Sequence, residues 1–150
     1  MNSDECLFCL IASGKLSSNV VYESTEVVAF LDISPIRAGH VQIVPREHFP
    51  YYDDVPAQVA SEIMHLGQRL APVLRRLFRV PRVAFLYTGG DITHAHAHVV
   101  PMQEPTDITS RRYIVEQAIT LREAPRATEA ELKHSAILIV SGLSEVRGDA

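Results

Sequence analysis

The stretch that decides how this chain is read is His94-Ala95-His96-Ala97-His98-Val99-Val100-Pro101. Alternation of one residue type with small apolar residues is the period of a β-strand, which sends residues i, i+2 and i+4 to the same face. Three imidazoles line up on one side, and alanine and valine face a core on the other. The chain has seven histidines, and three of them are here. At about 3.3 Å rise per residue, His94 and His98 are roughly 13 Å apart along the strand, too far to share one metal ion. The spacing therefore predicts three different jobs.

Length and composition set the frame. The 150 residues, 47% apolar and 21% charged, predict one soluble domain able to bury a core. A net charge of -4 argues against a general nucleic-acid binder, because no basic face dominates. Residues 1–5 are polar and acidic, with no visible signal peptide, and the longest aliphatic run, Ala136 to Val140, is far too short to span a bilayer. The expectation is a cytoplasmic protein with no membrane partner, whose two cysteines stay reduced.

Working outward, Val83–Tyr87 reads as the strand before the histidine strand, Ala95–Met102. The short loop Thr88 to Thr93, with Gly89-Gly90, joins the two into a hairpin. Upstream, Val20–Tyr22, Val27–Leu31 and Gly39–Val44 read as strands. The last alternates less cleanly, with Gln42 between Val41 and Ile43. Between them and the hairpin lies a long helix with Asp54 as N-cap and Pro56 in its first turn. Its stripe is Val59, Ile63, Leu66, Leu70, Leu74 and Leu77, and Pro81 ends it. Thr128-Glu129-Ala130-Glu131 matches a capping box, which predicts a second helix to about Ser141, stopped at Gly142. The order predicts an α+β fold: a five-stranded, mostly antiparallel sheet with a long helix packed on it, and a C-terminal helical extension over residues 105–150.

Two further motifs carry chemistry. Cys6-Leu7-Phe8-Cys9 is a CxxC, readable as a redox pair, half a zinc site, or two buried small hydrophobes. A redox reading needs a βαβ context that is missing, and a zinc site needs two more ligands, for which histidine is the available type. His40 follows Gly39 at a strand start, and His48 stands just beyond the same strand. His65 and His134 read as helix residues without a role.

Taken together, Cys6 to Met102 resembles the histidine triad (HIT) family of nucleotide hydrolases and transferases. The resemblance rests on the CxxC, on Ala29-Phe30-Leu31-Asp32-Ile33-Ser34-Pro35, on Gly39-His40 through Pro45 with His48, and on the triple-histidine strand. It implies a HIT domain over residues 1–104. It further implies that His96 attacks the α-phosphorus of a nucleotide conjugate, forming a nucleotidyl-His96 intermediate. A second ring nitrogen on His96 would donate to the carbonyl of His94. His98 would contact the phosphate or leaving group, and His40 would complete the polar pocket.

By the same resemblance a structural zinc is held by Cys6, Cys9, His48 and His94. Asp32 receives the ribose hydroxyls, and Leu7, Phe8, Ile11, Phe30 and Ile33 surround a base, a purine by expectation. For these apolar residues, plain core packing is an equal reading. A homodimer is expected on the resemblance alone. One departure stands out. Where many members have a Gly-Gln-Ser/Thr loop for the phosphate, this chain has Gly89-Gly90-Asp91. The backbone N–H groups of Gly89 and Gly90 can still form an anion nest, but the Asp91 carboxylate repels phosphate unless it is paired or points away. A nucleotide-binding regulatory protein with little or no catalysis is therefore the alternative to an enzyme.

Overall fold

The computed structural model describes residues 6–88, 92–105, 107–108 and 125–146. Five strands form one antiparallel sheet: β1 (Val20–Glu23), β2 (Val27–Leu31), β3 (Val41–Pro45), β4 (Arg82–Thr88) and β5 (His96–Met102), in the order β1-β2-β3-β5-β4. The helices are α1 (Leu7–Ala12), α2 (Ala57–Phe78) and α3 (Glu129–Val146). The expected hairpin is present as a continuous β4–β5 ladder from Arg82↔Met102 to Thr88↔His96.

Period-two alternation sorts the side chains. Val27, Ala29 and Leu31 of β2, Val41 and Ile43 of β3, and Ala97 and Val99 of β5 join one core with Val59, Ile63, Leu66, Leu70, Val73 and Leu74 of α2. Leu132, Ala136, Ile139 and Leu143 of α3 enter the same core, so the C-terminal helix is packed on the domain. The opposite face carries the histidines, together with Val28, Phe30 and Val44 under Phe8 and Ala12 of α1. With both faces covered, every residue of β2 is buried.

Several boundaries differ from expectation, each for a local reason. Asp54 does not cap α2. It closes a single 3-10 turn, and Pro56 is the N-cap with no side-chain hydrogen bond. A residue preceding proline disfavours helical backbone, so the helix cannot start before Pro56. At the other end α2 stops at Phe78, with Arg79 in the left-handed region at φ 53°. Pro81 imposes the same restriction on Val80. β5 starts at His96 rather than Ala95, although the Ala95 N–H still bonds the carbonyl of Phe49 at 2.7 Å.

The capping box of α3 is formed. The Thr128 N–H donates to Glu131 at 2.8 Å, and the Glu131 N–H returns to Thr128 Oγ1 at 3.3 Å. Gly142, however, does not end the helix, which continues to Val146. A Cβ at Gly142 would stand 2.6 Å from Val73 of α2, so this glycine serves the close approach of two helices.

Candidate active site and metal centre

His96 and His98 stand on the face of β5 away from α2, paired across the sheet with Thr88 and Leu86 of β4, and His98 also with Gln42 of β3. The Nδ1 of His96 lies 2.7 Å from the carbonyl oxygen of His94. A carbonyl only accepts, so the proton is on Nδ1 and, in the neutral ring, the lone pair is on Nε2. The edge of Phe8 packs against the His96 ring at 5.1 Å, and the ring is 5% exposed. The rotamer and tautomer are thereby fixed together.

His40 and His98 meet directly, Nε2 to Nδ1 at 2.8 Å. The Ile36 N–H donates to His40 Nδ1 at 3.3 Å, so His40 carries its proton on Nε2 and gives it to His98 Nδ1. The neutral His98 ring then presents an Nε2–H donor. Burial holds His98 down to about 4, and burial also lowers His40, against the pull of Asp32. Near neutral pH both rings are uncharged. Asp32 completes the row: Oδ1 accepts the Ser34 N–H at 2.7 Å, Oδ2 accepts the Gln42 amide at 2.5 Å, and Oδ2 lies 3.5 Å from His40.

A second constellation forms behind the triad. The ligand atoms of Cys6, Cys9, His48 and His94 all lie within 4.8 Å of one another. Cys6 Sγ is 3.4 Å and Cys9 Sγ 3.5 Å from His94 Nδ1, and Cys9 Sγ is 3.3 Å from His48 Nδ1. Tetrahedral zinc, with bonds of about 2.3 Å to sulfur and about 2.0 Å to nitrogen, puts such S···N edges near 3.5 Å. The donors therefore fit a structural metal. The Nε2–H of His94 donates to the carbonyl of Pro45 at 3.0 Å, which leaves the Nδ1 lone pair toward the sulfurs. Burial pushes His94 down to about 4, favouring the neutral ring that a metal requires.

Arg46 holds this centre in place. Its guanidinium bonds the carbonyl of Ala12 at the end of α1, that of Ser24 at 2.7 Å, and Glu23 at 3.0 Å. The short helix that begins right after Cys6 is so tied to the β1–β2 turn.

Of the residues expected around a base, Phe8 and Phe30 are only 3% exposed and pack on each other at 5.6 Å. Ile11 is half-buried, while Leu7 and Ile33 are exposed. Gly90 and Asp91 lie outside the described residues. A cavity of about 580 Å³ opens beyond Asp32 and His40, between the β2–β3 connection and α3, and does not reach His96 or His98. The Gln42 bond to Asp32 is not evident from the sequence pattern. Its one signal was a polar residue within an apolar strand.

The HIT domain model matches residues 13–105. An uncharacterized HIT-like protein from Methanocaldococcus jannaschii is 31% identical over 103 residues, covering 66% of this chain and 80% of that one. An adenosine 5'-monophosphoramidase from Saccharomyces cerevisiae is 28% identical over 100 residues, covering 66% of this chain and 63% of that one. Among solved structures, a Zn-bound histidine triad family protein from Mycobacterium smegmatis superposes with a TM-score of 0.75 at 24% identity, covering 99% of this chain and 100% of that one. The triad on β5, its position in the sheet and the matched segment converge on one assignment: the chain belongs to the HIT domain family.

Proposed function

We propose that this protein hydrolyses or transfers the nucleotidyl group of a nucleotide conjugate, such as a phosphoramidate or dinucleoside polyphosphate, through a covalent nucleotidyl-His96 intermediate. The observation that carries the reading is the 2.7 Å bond from His96 Nδ1 to the His94 carbonyl, which puts the ring's lone pair on Nε2. In the first step Nε2 attacks the α-phosphorus and the bond to the leaving group breaks. The Nε2–H of His98, backed by His40, donates to the departing atom or to a phosphate oxygen. In the second step water attacks phosphorus and returns a proton to His98, the N–P bond to His96 breaks, and the nucleoside monophosphate leaves. Asp32 receives the ribose hydroxyls.

Zinc on Cys6, Cys9, His48 and His94 would supply rigidity, fixing the carbonyl that orients His96. It takes no part in bond making. The similarity to a yeast adenosine 5'-monophosphoramidase supports a nucleoside phosphoramidate as the first substrate to try.

Intact-mass spectrometry after acid-free quenching of a reaction with adenosine 5'-phosphoramidate tests this. The expected result is a mass gain of one adenylyl group that is missing from His96→Ala. Nucleotide binding without any adduct, across phosphoramidate and dinucleoside polyphosphate substrates, would instead establish the regulatory reading.

A further inference from the structure

Gln42 is a half-buried polar residue within the otherwise apolar strand β3. It lies on β3 between Phe30 of β2 and His98 of β5 in the sheet register. Its Nε2 donates to Asp32 Oδ2 at 2.5 Å, while its Oε1 is buried and accepts no hydrogen bond among the described residues. Turning the amide over would set Oε1 against a carboxylate, so the orientation is dictated by Asp32. A buried acceptor left unpaired costs free energy that leucine at this position would avoid. The core does not explain the glutamine; the carboxylate does.

Among the described residues, the Asp32 carboxylate is otherwise hydrogen-bonded only at Oδ1, by the Ser34 N–H of its own turn, with His40 Nδ1 3.5 Å from Oδ2. A bond to one oxygen leaves the carboxylate able to rotate about its last torsion. The second bond, from Gln42, removes that freedom. A carboxylate offers about four acceptor directions, so two remain for a ligand with adjacent hydroxyls.

We propose that Gln42 is a positioning residue for sugar recognition: its amide N–H locks the Asp32 carboxylate so that the site selects nucleotides carrying ring hydroxyls over those without them. This rests on the reading of Asp32 as the ribose acceptor, and it makes ribonucleotide preference a property of the Gln42–Asp32 pair. Gln42 acts through Asp32 and need not touch the substrate.

The test measures KM and kcat of the full-length protein with adenosine 5'-phosphoramidate and its 2',3'-dideoxy analogue. The variants are Gln42→Leu, Asp32→Asn and the double substitution. Gln42→Met, the unbranched near-isostere, replaces Gln42→Leu if the latter does not fold. The expected result is that Gln42→Leu raises KM for the ribonucleotide about tenfold and leaves KM for the dideoxy analogue within twofold. In the Asp32→Asn background it has no further effect, since coupled residues are non-additive. An equal loss on both substrates, or an additive effect in the double variant, overturns the role given to Gln42. A wild-type protein that does not distinguish the two substrates overturns the reading of Asp32 itself, and the role of Gln42 with it.

Discussion

The backbone joins His94 and His96: the carbonyl of the first accepts the Nδ1–H of the second at 2.7 Å. His94 also gives its Nε2–H to Pro45 and turns Nδ1 to Cys6 and Cys9. One residue thus faces the candidate metal site with its side chain and the candidate nucleophile with its main chain. The two centres are mechanically coupled and chemically separate, which leads to opposite expectations for neighbouring substitutions.

On the proposed reading, His96→Ala removes the nucleophile but no metal donor. Turnover should fall by about 10³-fold or more, as for other enzymes stripped of a nucleophile. Zinc measured by atomic emission should stay at the wild-type ratio. Loss of the metal along with activity would mean that His96 is a ligand, and would overturn its role as nucleophile.

His94→Ala and Cys6→Ser should do the reverse. Each leaves His96 in the chain but breaks the tetrahedral set, so zinc content falls to near zero. A metal bound only by the native state, present at about a thousand times its Kd, contributes about 4 kcal/mol of stability. The melting temperature of the wild-type protein should therefore drop on adding a strong chelator, and that of both variants should not respond. Turnover by His94→Ala should fall about 10–100-fold, the usual consequence of losing an orienting shell around a reacting group.

The sheet face that carries this chemistry was legible from alternation, because period two is a local property of the chain. His94, His96 and His98 could be assigned to one side without knowing what lay across from them. Their different roles needed the family resemblance, since the distinguishing partners are remote: the Pro45 carbonyl is 49 residues from His94, and His40 is 58 from His98. Helix ends failed where a residue has two uses. Gly142 reads as a stop, yet it is the gap into which Val73 fits. Asp54 reads as a cap, yet proline two residues on decides where the helix begins. Gln42 was visible as an irregularity, but its meaning depends on Asp32, which reaches it only once β2 and β3 pair.

Burial lowers His98 to about 4, against about 6.5 in an unfolded chain. The folded value is depressed, so the native state resists protonation that the unfolded chain accepts. Stability from this group is therefore complete above pH 6.5 and is lost as pH falls toward 4. Unfolding free energy measured by urea denaturation over this range should fall more steeply in wild type than in His98→Asn. Ring proton shifts by NMR should place the His98 midpoint far below the value of about 6.5 for an unperturbed imidazole. Parallel pH slopes in the two proteins would count against a buried neutral His98.

The loop that brings Asp32 and His40 together depends on Gly39, whose φ of +84° lies in the left-handed region. A Cβ there would stand 2.2 Å from the Phe78 ring at the end of α2. Gly39→Ala therefore combines left-handed strain with overpacking, and should cost about 2–4 kcal/mol of stability. Gly14 is a control, since its φ is +74° but nothing lies within 4 Å of its Cβ position. Gly14→Ala should cost about 1 kcal/mol, from backbone strain alone. Chemical denaturation separates the two. Adding Phe78→Ala to Gly39→Ala should recover the steric part, seen as a favourable coupling in a double-mutant cycle, and leave the strain. Because His40 is the next residue, Gly39→Ala should also raise KM for a ribonucleotide substrate, whereas Gly14→Ala should leave it unchanged. Equal costs at the two glycines would show that the Phe78 ring moves aside freely and does not fix the loop.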